Sequence, residues 1–199
     1  LLINDNTMTS EKGIVITDGN MKGLFYRLER DPVTGEIIFS KDALLNISQP
    51  TGNIKIETEG GKVSQKDEKG EFYNSFAYIN VAKMTGAEAP NDKIYFGSPY
   101  IKYEDEKIYA KDAWVTTDFN IVNFQKEPQK AGYHLFSSDV LVEPDKQITL
   151  KKSDLFIGAT DVMPFTFPWF RANIRSGSTV PLFITIQSDD DYGAATSMG

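Results

Sequence analysis

The chain has 199 residues, of which 40% are hydrophobic, 25% charged and 12% aromatic, a balance typical of one substantial globular domain, alone or with an appendage. Its formal net charge of −7 and the lack of any basic stripe argue against nucleic acid as a partner. It has no cysteine, which excludes disulfides, thiolate metal sites and cysteine nucleophiles, and no run of about 18 apolar residues that would predict a membrane-spanning helix.

In chain order, the sequence predicts strands almost throughout and nearly no helix. Short runs in which apolar and polar residues alternate, the pattern of half-buried strands, occupy 53–58, 93–97, 100–104 and 147–150. Turn signals rich in glycine, proline and acidic residues separate such runs at 31–35, 58–62, 67–71, 89–92 and 143–146. The predicted fold class is all-β, with about a dozen short strands.

One strand unit recurs along the chain. The segment "FSKDALLNI" at 39–47 is echoed by "YAKDAWVTT" at 109–117, and more loosely by "FSSDVLVEP" at 136–144 and "KKSDLFIG" at 151–158. Recurring units indicate stacked rungs in a jelly roll or a solenoid-like pair of sheets, with a chance match as the alternative. Each copy carries an Asp before apolar residues, and we interpret this Asp as an outward or turn-adjacent position rather than a ligand. These residues are Asp42, Asp112, Asp139 and Asp154.

No residue pattern predicts catalysis, a metal or a cofactor. The single histidine, His134, lies in a strand-like run and is expected to be packed or on the surface. The "GGKVS" at 60–64 fails as a phosphate loop, because Ile56 holds the earlier glycine position and Val63 follows the lysine. The acidic triplet at 189–191 lacks the alternating ligands of a calcium loop. We therefore expect a protein that is not an enzyme.

The chemistry that remains is hydrophobic. Two sheets with apolar inner faces can form a filled core, or they can leave a trough that holds acyl chains by burying apolar area. Periodicity cannot separate these alternatives, since both need one apolar face per strand.

Two segments, "WVTTDFN" at 114–120 and the stretch 132–171, resemble the outer-membrane LPS-assembly protein family (LptD, also called organic solvent tolerance protein). The corresponding features are the Thr-Thr-Asp at 116–118, a strand at 138–144, an aromatic-proline segment at 164–170 and the turn at 175–181. The upstream segment 94–113 resembles the repeated strand of the OstA-type fold, and the likeness is weaker over 1–92. Family members commonly carry a cysteine after the two threonines, where this chain has Asp118, so their disulfide-gated maturation does not carry over.

The resemblance implies an open, V-shaped, OstA-like β-jelly roll over 1–175, and the first strands of a truncated outer-membrane β-barrel over 176–199. Its hydrophobic groove would carry the acyl chains of lipopolysaccharide at the periplasmic face of the outer membrane. The implied partners are lipopolysaccharide, an LptA-like periplasmic bridge protein that pairs with an edge strand, and an LptE-like lipoprotein plug with the full barrel. The first residue is Leu1 rather than Met, so we expect a piece of a longer protein.

Two groups of candidate lipid-contacting residues follow. The candidates for the groove are Ile94, Phe96, Ile101, Tyr103, Ile108, Trp114, Phe136, Leu141, Ile148, Leu150 and Phe156. A one-residue slip in strand register would turn each of these side chains from the inner face to the outer face. Candidates for a gate at the seam between jelly roll and barrel are Phe165, Phe167, Trp169 and Phe170. The competing interpretations are a structural or adhesive sandwich with a filled core that binds a protein or glycan and, most weakly supported, an enzyme acting on polysaccharide.

Overall fold

The computed structural model describes residues 2–4, 7–49, 52–64, 66–80, 93–122, 127–144, 146–162, 165–173, 184–189 and 193–198. These residues form strands and two short 3₁₀ turns, η1 (Phe119–Val122) and η2 (Pro128–Lys130). The strands are β1 (Leu2–Asn4), β2 (Thr7–Asp18), β3 (Met21–Arg30), β4 (Ile37–Gln49), β5 (Gly52–Ser64), β6 (Lys69–Asn80), β7 (Lys93–Glu104), β8 (Lys107–Thr116), β9 (His134–Glu143), β10 (Gln147–Ile157), β11 (Thr160–Asp161), β12 (Phe167–Asn173), β13 (Ile184–Asp189) and β14 (Gly193–Met198). Within them, no helix is long and apolar enough to span a membrane.

The main sheet is an antiparallel meander. Each strand from β2 to β11 pairs with the strand that precedes it in the chain, and β12 also pairs with β10. The strands β13 and β14 form a separate hairpin in the region where barrel strands were expected. The predicted domain boundary between 175 and 176 lies outside the described residues.

In most of the long strands, the set of residues that faces inward shifts by one position near the middle of the strand. In β8, Ile108 and Ala110 are buried before the change and Ala113 and Val115 after it. A strict period of two would not bury both pairs, so the strand bends and shifts phase by one residue at 111–112. Similar shifts occur in β3, β5, β6, β7, β9 and β10, whereas β4 keeps its alternation across the irregular register between Ser40 and Ala43. One sheet therefore folds over onto itself.

The bends divide the sheet into two facing halves. Half-sheet A comprises residues 21–25, 43–48, 53–58, 75–79, 93–98, 113–116, 134–137 and 153–157. Half-sheet B comprises residues 28–30, 37–40, 61–64, 69–73, 100–104, 107–111, 139–143, 147–151 and 169–173. A single apolar cluster from both halves fills the space between them, and Phe25 of half-sheet A meets Phe39 of half-sheet B at a ring-centroid distance of 5.0 Å. The fold is thus an all-β, jelly-roll-like sandwich, as the sequence predicts.

A hydroxyl group stabilises the bend in three successive hairpins. The Ser98 hydroxyl donates to a bifurcated pair of carbonyls, Tyr100 O at 2.7 Å and Lys111 O at 2.5 Å. Thr58 bridges β5 and β6 in the same way, and Ser137 bridges β9 and β10. The carbonyls released by each bend are therefore paired inside the protein.

Each of these hydroxyls bonds one carbonyl on the neighbouring strand, namely Tyr73, Lys111 or Lys151, and the residue after that carbonyl has a left-handed backbone. Asn74, Asp112 and Lys152 have φ values of 47°, 48° and 49°. Such values are uncommon for residues other than glycine, and their repetition at one place in β6, β8 and β10 identifies a shared corner geometry.

The corner explains why one strand unit recurs in the sequence. Asp42, Asp112 and Asp139 are all exposed and lie at the bend of their strands, and the residue after each is buried and faces inward. Asp154 differs, because it lies beyond the bend of β10. One turn prediction was wrong: residues 58–62 form the bend inside β5 rather than a turn between strands.

Candidate functional site

Most of the predicted groove residues lie on the inner faces of the two half-sheets. Their side chains are at most 2% exposed and belong to the single core cluster. They are Ile94 and Phe96 in half-sheet A, and Ile101, Tyr103, Ile108, Ile148 and Leu150 in half-sheet B.

Four groove candidates lie instead on the outer faces: Trp114, Phe136, Leu141 and Phe156. Trp114 and Phe136 oppose each other across β8 and β9, and Phe136 is 40% exposed. The bend causes the difference, because an alternation counted from one end of a strand is out of phase beyond the corner. The inward residues beside Trp114 are Ala113 and Val115, which are small and give a weak sequence signal.

The interior is closely packed, and it opens slightly at the end near the β2–β3 turn. A cavity of about 70 Å³ lies there between the half-sheets. Met21 and Phe25 line it from half-sheet A, and Ile37 and Val63 line it from half-sheet B. This cavity is the place where an apolar ligand would need least rearrangement to enter.

Two of the predicted gate residues, Trp169 and Phe170, lie where β12 forms the edge of half-sheet B, Phe167 begins β12 opposite Ser153, and Phe165 precedes the strand. Phe170 opposes Leu150 and packs against the core, whereas Trp169 opposes Lys151 and is 65% exposed. Phe165 is 56% exposed and meets Phe167 edge to face, with ring centroids 5.3 Å apart. The edge strand therefore presents aromatic surface to solvent beside an aromatic residue that reaches the core.

Pro168 has a structural explanation in this segment. By register it lies opposite Lys152, between the pairs Lys151–Trp169 and Ser153–Phe167, at the corner of β10. Among the described residues β12 pairs only with β10, so a proline here removes little ladder hydrogen bonding. Met163 and Pro164 lie outside the described residues.

The Thr-Thr-Asp segment anchors the connection between β8 and β9. Thr116 donates from its hydroxyl to the Tyr133 carbonyl at 2.7 Å, and the Thr117 and Tyr133 hydroxyls are hydrogen-bonded. Asp118 accepts from the backbone N–H of Gly132 at 2.7 Å and of Asn120 at 3.0 Å. Burial raises the pKa of Tyr133. These contacts give Asp118 a loop-closing role.

That connection covers a second apolar cluster on the outer face of half-sheet A, which the sequence did not reveal. Phe76, Tyr95, Ile121 and Ala131 form it, and Trp114 packs against it. A side chain on Gly97 would lie 2.4 Å from the indole of Trp114, so only glycine permits this approach. The cluster explains why half-sheet A carries large apolar residues on both faces.

His134 lies beneath the same connection and is packed, which is one of the two alternatives that the sequence leaves open. It is 6% exposed and stacks on Phe156 at a ring-centroid distance of 5.0 Å. Burial lowers its pKa, and its Nδ1 has no hydrogen-bond partner among the described residues. The described ranges contain no group of three or more histidine or acidic residues arranged to hold a metal ion.

No protein-family model matches the sequence, and none of the curated proteins matches it either. The function of the chain is therefore inferred from the geometry of the inner faces, the β12 edge, and the Thr-Thr-Asp and aromatic-proline motifs.

Proposed function

We propose that the chain binds the acyl chains of lipopolysaccharide between its two half-sheets and passes them towards the outer membrane. The observation that carries the proposal is the composition of the inner faces. From β3 to β10 they form one apolar cluster with no charged member, with only hydroxyl-bearing residues such as Ser137 and Ser153 at the bends. Binding an acyl chain requires such a surface and no directed polar chemistry.

The architecture supports opening of this interior. From β3 to β10, each register pair among the described residues joins two residues on the same side of the bend, so the halves are joined by the bends and by side-chain packing. Moving them apart about the bends therefore leaves the backbone ladders intact. Each acyl methylene that is buried between the separated halves contributes about 0.8 kcal/mol, which offsets part of the lost packing.

The two free edges suit different partners. One edge is formed by β1 and β2, and the other by β11 and β12. The exposed aromatic residues Phe165 and Trp169 lie at the second edge, where acyl chains would leave for the bilayer. We assign docking of an LptA-like bridge protein, by strand addition, to the first edge. An LptE-like plug would act with the remainder of the assembly, at the periplasmic face of the outer membrane.

Aromatic side chains that face inward and others nearby that face outward allow a direct test of acyl-chain binding between the half-sheets. Phe72 and Tyr103 face inward and are at most 1% exposed, whereas Tyr73 and Tyr109 face outward and are 43% and 38% exposed. Each is replaced singly by p-azidophenylalanine, which resembles the native ring in size. After illumination with lipopolysaccharide, we expect crosslinks at positions 72 and 103 and none above background at 73 and 109.

The outward positions serve as matched controls on β6 and β8. Equal crosslinking at inward and outward positions, or crosslinking at outward positions alone, would contradict the binding of acyl chains between the half-sheets. Circular dichroism and urea unfolding of each variant establish that a negative result comes from a folded protein.

One observation favours a second candidate function. The interior is closely packed, with Phe96, Ile101 and Ile148 each 0% exposed. That is typical of a structural or adhesive sandwich, which would bind a protein or glycan on its outside. If the protein is such a sandwich, the crosslinking experiment should give no crosslink at positions 72 and 103.

A further inference from the structure

A groove crosses the outer face of half-sheet A beside the bends and encloses about 700 Å³. Six consecutive strands, β3 to β8, contribute to it. We call it the outer groove, and its lining includes Leu24, Asp42, Glu59, Ser75, Pro99 and Trp114.

The charged residues that line the outer groove are all acidic. Asp42, Glu57, Glu59 and Asp112 are among the lining residues, and no Lys or Arg occurs among the described residues that form it. Asn74 donates to Glu59 from its side-chain amide at 2.8 Å, which fixes one carboxylate at the wall. With no metal-binding group among the described residues, the carboxylates are spread along the groove rather than gathered around an ion. The groove is therefore complementary to a ligand with several positive charges.

A buried hydroxyl gives an independent indication of a ligand. Ser75 lines the outer groove and is 5% exposed, and its Oγ has no hydrogen-bond partner among the described residues. The equivalent hydroxyls of Thr58 and Ser98, in the neighbouring strands, each contact two carbonyls. A buried polar atom without a partner is costly, and a ligand that reaches Ser75 through the wall of the groove would supply one.

The groove's dimensions favour an extended ligand. Six strands spaced about 4.8 Å apart give a length of roughly 24 Å, which an extended peptide of about seven residues would span. Strands β3 to β8 are paired on both sides, so such a peptide would bind through its side chains rather than by joining the sheet.

We propose that the outer groove binds an extended basic peptide segment of a partner protein, with apolar or aromatic residues between its Lys or Arg residues. The carboxylates of Asp42, Glu59 and Asp112 pair with the cationic side chains. The apolar wall of Leu24, Phe76 and Trp114 receives the side chains between them, and the indole face of Trp114 offers a cation–π site.

The test uses the whole 199-residue chain and a fluorescein-labelled peptide of about seven residues in which Lys and Trp alternate, a length set by the strand spacing. Fluorescence anisotropy should show saturable binding that weakens as NaCl is raised. A peptide with Glu in place of Lys should not bind. The triple variant Asp42→Asn, Glu59→Gln, Asp112→Asn should weaken binding about tenfold, since exposed ion pairs contribute modestly. Asn is chosen at position 112 because it tolerates the positive φ.

A control triple variant, Glu11→Gln, Glu29→Gln, Asp105→Asn, makes the same change in net charge away from the groove and should bind like the parent. Ser75→Ala should weaken binding severalfold without lowering stability. Equal weakening in both triple variants, or no saturable binding of the basic peptide, would overturn the proposal. So would stronger binding of a neutral chito-oligosaccharide than of the peptide, which would make the groove a glycan site.

Discussion

Ser75 and Ser98 oppose each other across β6 and β7, yet their hydroxyls have opposite roles. The Ser98 Oγ contacts two carbonyls and accepts from the Tyr100 N–H at 3.1 Å, whereas the Ser75 Oγ has no partner among the described residues. Composition and spacing do not distinguish these serines in the sequence. The difference arises from the bend, which brings carbonyls of β7 and β8 to one serine only.

The two serines therefore form a matched pair of mutants. We expect Ser98→Ala to lower the free energy of unfolding by about 1–3 kcal/mol, because it leaves buried carbonyls unpaired. Ser75→Ala removes an unpaired group and should leave the free energy of unfolding unchanged or raise it. Urea unfolding monitored by tryptophan fluorescence measures both. Equal losses in the two variants would show that the corner hydroxyl bonds add nothing to stability.

His134 gives a pH-dependent prediction. Burial lowers its pKa in the folded protein below the ordinary value of 6.5, so the unfolded chain binds a proton more readily. Its contribution to stability is complete above about pH 6.5 and is lost as the pH falls from there towards the lowered pKa. The urea midpoint of the parent should fall over this range relative to that of His134→Phe, which does not titrate and keeps the ring.

The carboxylates should not obscure this effect. Lys146 and Gln147 lower the pKa of Glu143 by hydrogen bonding, so its contribution is lost only as the pH falls below its ordinary value of 4.5. A constant difference between parent and His134→Phe from pH 8 to 5 would show that His134 is solvated rather than buried.

At the scale of the elements, the sequence predicts the strands but not their length. The alternating runs at 93–97 and 100–104 predict two separate strands, whereas β7 runs from Lys93 to Glu104 through both. The interruption at Ser98 and Pro99 is the corner, where alternation breaks but pairing continues on both sides. Residues 58–62 likewise predict a turn, although they form the bend inside β5. Only the paired register distinguishes a bend within a strand from a turn between strands.

The left-handed corner residues make the bend testable. Lys152 has a φ of 49°, which glycine adopts without steric cost. We expect Lys152→Gly to raise the free energy of unfolding by roughly 0.5–1 kcal/mol, as relief of the backbone strain outweighs the added freedom of the unfolded chain. Thermal unfolding followed by circular dichroism measures the change.

The neighbouring residue provides the control. Lys151 is also exposed but lies in the paired ladder opposite Asp139 and Trp169. Lys151→Gly should lower the free energy of unfolding by about 0.5–1 kcal/mol. If both substitutions were destabilising by the same amount, the corner would carry no backbone strain.

For the whole molecule, the sequence correctly predicts an all-β, jelly-roll-like fold, because alternation and turn residues are local signals. It does not predict the second apolar cluster, since Phe76 and Trp114 look like inward residues until the phase shift is known. It also cannot distinguish a filled interior from one that opens, because Ile94 and Phe96 would be apolar in either case. That distinction depends on the free energy of separating the half-sheets in the presence of lipid.

Separation of the half-sheets can be measured directly, and the absence of cysteine in the chain allows clean labelling. Ser48 lies on the outer face of half-sheet A and Tyr109 on that of half-sheet B, so nitroxide labels on Ser48→Cys and Tyr109→Cys report the distance across the sandwich. We expect lipopolysaccharide to lengthen this distance by roughly 5 Å, about half the ~10 Å spacing of packed sheets. The distance between labels on Tyr73→Cys and Tyr109→Cys, both in half-sheet B, should not change. Lipid binding with no change in the first pair would place the acyl chains on the surface and favour the filled sandwich.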